Sequence, residues 1–102
     1  MNLGEFKNSL TVSVLPAVSA PLRGLWWAAK GDWDRAHKAV QDDVTTDAAW
    51  VHAYLHRAEG DLSNAGYWYR RAGRDAPTGA LDAEWEEIVA ELTGKYRRGG
   101  AP

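Results

Sequence analysis

The sequence predicts an all-α fold: two antiparallel helix hairpins followed by a C-terminal capping helix. Three observations carry this expectation. Apolar residues recur at helical spacing in four central segments. Two Gly-Asp pairs, Gly31-Asp32 and Gly60-Asp61, each fall between two of those segments and repeat at an interval of 29 residues. A further segment, from Leu81 to Leu92, is apolar on one face and acidic on the other.

In chain order, Leu3, Phe6 and Leu10 suggest a short N-terminal helix, joined through Pro16 by an irregular segment that ends near residue 18. The first hairpin begins after Ser19, a candidate N-cap, with Pro21 permitted in the first turn. Leu22, Leu25, Trp26 and Ala29 form the apolar stripe of its first helix, and Trp33, Ala36, His37 and Val40 that of its second. The second hairpin carries Val51, Tyr54, Leu55 and Ala58, then Leu62, Ala65, Tyr69 and Ala72. In each turn glycine can adopt the left-handed conformation that ends one helix, and the following aspartate can cap the next. The hairpins are expected across residues 19–76. Leu81, Trp85, Ile88, Val89 and Leu92 define the capping helix over residues 80–94, with Asp82, Glu84, Glu86, Glu87 and Glu91 turned to solvent. Residues 95–102 are expected to be a flexible tail.

A chain of 102 residues suits one domain, here 1–102. Its 45% hydrophobic and 25% charged residues are those of an ordinary soluble globule, but six tryptophans mean that large aromatics do much of the packing. The absence of cysteine excludes disulfides, thiolate chemistry and cysteine-type zinc fingers. A net charge of -2 argues against a nucleic-acid binder. No stretch approaches the roughly 18 apolar residues of a membrane span. The run from Leu10 to Ala20 is too interrupted, by Thr11, Ser13 and Pro16, for a signal peptide, so a cytoplasmic location is expected.

The spacing of small residues resembles the tetratricopeptide repeat. Gly24 and Ala36 match its small and alanine marks twelve residues apart, and Ala53, Ala65 and Pro77 match the small, alanine and proline marks of a second unit. Trp27, Val40 and Tyr69 occupy large-residue places, and "KGDWDRA" is similar to the family's inter-helix turn. The resemblance spans roughly Ala20 to Pro77. It departs from the family in its interval of 29 residues, in the missing opening tryptophan-leucine marks and in His56, which stands where an aromatic is expected. It implies helical hairpins in a small closed bundle and a role in protein or peptide binding. The central block also resembles a small bacterial family, which implies a self-contained domain and no particular activity.

Two constellations emerge as candidate sites. Trp50, Tyr54 and Arg57 share one helix face, the one that the tetratricopeptide resemblance places on the concave, ligand-holding side, and their composition is that of an interface hot spot. Tyr67 and Arg70, with Arg71 and Arg74, form a basic stripe suited to a carboxylate, a phosphate or an acidic peptide. The expected function is therefore a non-enzymatic module that binds a protein, a peptide or a second copy of itself, with no cofactor. The alternative is a small-molecule or transition-metal-binding domain. His52 and His56 lie one turn apart with Glu59 on the same side, and His37 sits on the neighbouring helix, a donor set for zinc or another transition metal. The same imidazoles also read as buried, hydrogen-bonded core groups. "HAYLH" lacks the glutamate of the H-E-x-x-H hydrolase helix, and neither a phosphate loop nor a nucleophile elbow is present, so an enzyme is unsupported, save through the histidine site if it leaves an open coordination position.

Overall fold

The computed structural model describes the backbone of residues 1–99 and the side chains of residues 1–95. Among the described residues there are six helices and no strand: α1 (Leu3–Thr11), α2 (Ala20–Ala29), α3 (Trp33–Val40), α4 (Thr46–Ala58), α5 (Leu62–Ala72) and α6 (Leu81–Gly99). Local chemistry sets most boundaries. Asn2 and Glu5 form a reciprocal capping box at the start of α1. Asp32, Thr45 and Asp61 accept backbone N–H bonds from Arg35, Ala48 and Asn64 at 3.1, 3.1 and 3.2 Å, which starts α3, α4 and α5. Gly31 and Gly60 take φ of 78° and 89°, the left-handed values anticipated for the two Gly-Asp turns.

Helix α4 is the axis of the molecule. It packs against α2, α3, α5 and α6, and every residue from Ala48 to His56 is buried. Close approach requires small residues. A Cβ on Gly24 of α2 would meet Val40 Cγ1 at 3.0 Å and Val51 Cγ1 at 3.2 Å, so glycine lets α2 settle between α3 and α4. Helix α6 completes the bundle with Ile88, Val89 and Leu92 fully buried, each contributing on the order of 1.5 to 3 kcal/mol. Trp85 of α6 packs on Phe6 of α1 at 5.8 Å and donates its indole N–H to the Leu25 carbonyl at 2.9 Å.

Several expectations are corrected. Glu84, placed on the solvent face of α6, is 3% exposed, because the Tyr69 hydroxyl and the Arg57 guanidinium meet its carboxylate in the interior. Burial, reinforced by Glu84, raises the Tyr69 pKa, so the phenol keeps its proton and donates it. Leu62, placed on the apolar stripe of α5, is 69% exposed: it occupies the first position after the Asp61 cap and projects past the core. Helix α6 runs to Gly99 instead of ending near residue 94. Lys95 reaches Asp47 of α4 at 2.8 Å, holding the added turn against the bundle. The expected tail is thus helical over 95–99, and residues 100–102 of it lie outside the described residues.

Candidate metal centre

Helix α3 brings Trp33 and His37, α4 brings His52 and His56, and α5 brings Trp68 to one place. Four residues separate His37 from Trp33 and His56 from His52, close to one helical turn, so each pair leaves its helix on the same side. The turn capped by Asp32 sets the start of α3, and contact between α3 and α4 then turns the two pairs toward each other.

The three imidazoles converge. One nitrogen from each of His37, His52 and His56 lies within 4.8 Å of the other two. His37 Nε2 and His52 Nε2 are 2.9 Å apart, a hydrogen bond in which one ring must donate and the other accept. The indole of Trp33 stacks on His37 at 4.8 Å and 9°, and that of Trp68 stacks on His52 at 3.9 Å and 11°. Trp33 is itself fixed by donating its N–H to the Leu55 carbonyl at 2.7 Å. Two tryptophans therefore wall the cluster and restrain its rings. His56 is held differently: its Nδ1 lies 2.7 Å from Glu59 Oε2.

Burial lowers the pKa of His52 to about 4, with the neighbouring His37 and His56 adding to the effect. His37 is lowered for the same first reason, burial, and by His56. Both rings are consequently neutral at physiological pH, the form in which imidazole binds metal. Tetrahedral zinc at 2.0 to 2.1 Å from nitrogen needs ligand nitrogens about 3.3 Å apart. The His37–His52 pair must open by a few tenths of an ångström, and the other separations, all within 4.8 Å, must close by no more than about 1.5 Å.

Glu59, expected as a ligand beside the three histidines, groups instead with His56 and Asp61 in a second, more exposed set of donors. The anticipated contact surface is also rearranged. Trp50 and Tyr54 are 3% and 8% exposed, because α6 folds across the face of α4 that carries them. The Arg74 guanidinium lies over the Trp50 ring at 3.3 Å, and Arg57 is engaged with Glu84 at 3.0 Å and with the Gly79 carbonyl. Burial pushes the Tyr54 hydroxyl up to about 12. These three side chains are therefore packing and ion-pairing groups rather than a free face. Tyr67 and Arg70 do remain exposed on α5, with Arg71 bonded to the Tyr67 hydroxyl at 3.1 Å. Of the tryptophans that periodicity left undecided, Trp50 is core while Trp27 and Trp68 are half-buried; Trp33, expected in the core, is half-buried at the histidine cluster. The signal for the two stacked indoles was present in the spacing of Trp33 to His37, but Trp68 comes from another helix and could be placed only by packing.

Fold and site together define an all-α domain with an aromatic-walled three-histidine cluster. No protein-family model, curated protein or solved structure matches the chain. Among the described residues, no helix is long and apolar enough to cross a membrane.

Proposed function

We propose that the protein is a transition-metal-binding domain whose ligands are His37, His52 and His56. The observation that carries this reading is the convergence of three imidazole nitrogens within 4.8 Å of one another. Neutral nitrogen donors without a thiolate or a directly facing carboxylate favour zinc, nickel or copper over magnesium or calcium, which prefer oxygen. A three-nitrogen set also leaves a coordination position for water or a small ligand. The framework in this reading is a tetratricopeptide-like pair of hairpins, α2 with α3 and α4 with α5, with the centre at the junction of the pairs.

Isothermal titration with zinc and with nickel tests the assignment. The parent is expected to give saturable heat near one ion per chain, and a His52→Ala, His56→Ala double variant that keeps its helical circular dichroism should give none. Equal heats from the two proteins would refute it.

A second reading keeps an interaction role and places it on α5. Tyr67 is 44% exposed and Arg71 lies 5.9 Å from its ring and 5.5 Å from that of Trp68, a surface suited to an acidic peptide. Fluorescence anisotropy with a labelled poly-glutamate peptide should show binding that falls at least tenfold in Tyr67→Ala, Arg70→Ala. Unchanged affinity would remove this surface.

A further inference from the structure

Resting on the metal-centre reading, we propose that Glu59 is the positioning residue of the centre, holding His56 as its Nδ1–H tautomer so that Nε2 is the nitrogen offered to the ion.

The geometry separates this role from that of a ligand. Glu59 Oε2 lies 2.7 Å from His56 Nδ1, a hydrogen bond and not a coordination distance. The two nitrogens of an imidazole diverge, so a carboxylate bonded to one of them cannot reach an ion on the other at the 2.0 to 2.2 Å that zinc–oxygen bonding requires. An ionised carboxylate only accepts hydrogen bonds, and Nδ1 must therefore carry the proton. In the neutral ring the lone pair is then on Nε2.

His37 and His52 each have an indole stacked on them, at 4.8 and 3.9 Å, whereas His56 lies against the His52 ring at 4.9 Å and 24° and meets Trp33 only at 59° and 5.7 Å, so no indole holds it. The His56 side chain is 7% exposed and Glu59 38%, so the bond joins a buried ring to a carboxylate at the protein surface. Asp61, the other acid of the group, caps α5 through Oδ1 on the Asn64 N–H, whereas Glu59 is the acid bonded to the ring. Its position follows from sequence: it is the C-cap of α4, three residues after His56, where a side chain can turn back along its own helix. Carboxylate partners of this kind raise the donor strength of the ring, and losing one typically weakens metal binding 10- to 100-fold.

Two measurements test the proposal separately from the centre itself. Long-range proton–nitrogen NMR on metal-free protein should show His56 protonated on Nδ1 in the parent and in Glu59→Gln, whose amide oxygen still accepts, and shifted toward Nε2–H in Glu59→Leu. Zinc titration should show roughly 10- to 100-fold weaker binding in Glu59→Leu and a smaller loss in Glu59→Gln, with unchanged helical circular dichroism. A parent that carries the proton on Nε2, or a Glu59→Leu variant with parental zinc affinity, overturns the positioning role. A parent that binds no zinc overturns the centre, while an Nδ1 proton that depends on Glu59 would still support the orientation assigned to this carboxylate.

Discussion

His37 and His52 meet nitrogen to nitrogen at 2.9 Å, so in the metal-free protein one Nε2 carries a proton that points at the lone pair of the other. An ion held by both rings requires both lone pairs. The ring that donates must therefore hold its proton on Nδ1 in the loaded state, with no net proton released at neutral pH. Nitrogen chemical shifts of the two rings are expected to show one mixed pair without zinc and two matching Nδ1–H rings with it. An unchanged pair after saturation would place the ion elsewhere.

The same burial that keeps His52 neutral should make the metal-free fold acid-sensitive. Its pKa is lowered to about 4 in the folded chain, chiefly by burial, against an ordinary value near 6.5 in the unfolded one. Above 6.5 the ring is neutral in both states. As pH falls below that, the unfolded chain takes up a proton that the folded chain refuses, so stability drains away until about pH 4, by on the order of 3 kcal/mol. His37, also lowered, acts in the same direction. Urea midpoints in chelator should fall more between pH 7.5 and 5 for the parent than for His52→Gln. Equal falls would contradict the assignment.

Glu84, Tyr69 and Arg57 form one buried unit. The carboxylate lies 2.6 and 2.8 Å from the tyrosine oxygen, which shares its single hydrogen, and 3.0 Å from Arg57 Nη1. Removing the acid alone leaves a half-buried cation with only the Gly79 carbonyl and no counter-charge, so Glu84→Leu should cost about 3 kcal/mol. Tyr69→Phe should cost about 1 to 2 kcal/mol. Because both changes strike the same bond, a double-mutant cycle by chemical denaturation should show a coupling of at least about 1 kcal/mol. Simple additivity would mean that the two groups act independently.

Two helical glycines should respond in opposite directions to alanine. At Gly66 a Cβ meets nothing closer than the movable Arg70 Nη1 at 3.5 Å, so Gly66→Ala should stabilise by up to about 1 kcal/mol through helix propensity. At Gly24 the new methyl meets two valine methyls at 3.0 and 3.2 Å and the Ala36 carbonyl at 3.3 Å. Overpacking of about 1 to 3 kcal/mol then outweighs the propensity gain, and Gly24→Ala should lower the thermal midpoint. A higher midpoint for Gly24→Ala would show that α2 has room to move away.

Trp33→Phe should separate stacking from hydrogen bonding at the cluster. The phenyl ring can still cover His37, but the bond to the Leu55 carbonyl at 2.7 Å is lost. The expected cost is about 1 kcal/mol of stability with zinc affinity within a few-fold of the parent, whereas Trp33→Ala should cost more in both. If Trp33→Phe loses zinc as fully as Trp33→Ala, the wall is less important than the bond.

The all-helical class and the placing of α1 to α5 were legible in the sequence, because helix spacing and turn chemistry are local: Leu22, Leu25 and Trp26 mark a stripe wherever they fold, and Gly31-Asp32 makes its turn from neighbouring atoms alone. The presence of three histidines at positions that neighbouring helices could bring together was legible for the same reason. What the tertiary structure decided is which faces are covered and what each polar group meets. Trp50 and Tyr54 carry the pattern of a contact surface, and only the docking of α6 across α4 makes them core. Glu84 belongs to an acidic face by its period, yet Tyr69, 15 residues earlier in the chain, supplies the bond that permits its burial. Trp68 reaches His52 across a helix interface that no periodicity within either segment specifies. Local preference acts between residues a few positions apart, whereas burial and the pairing of side chains from different helices depend on how the whole bundle closes.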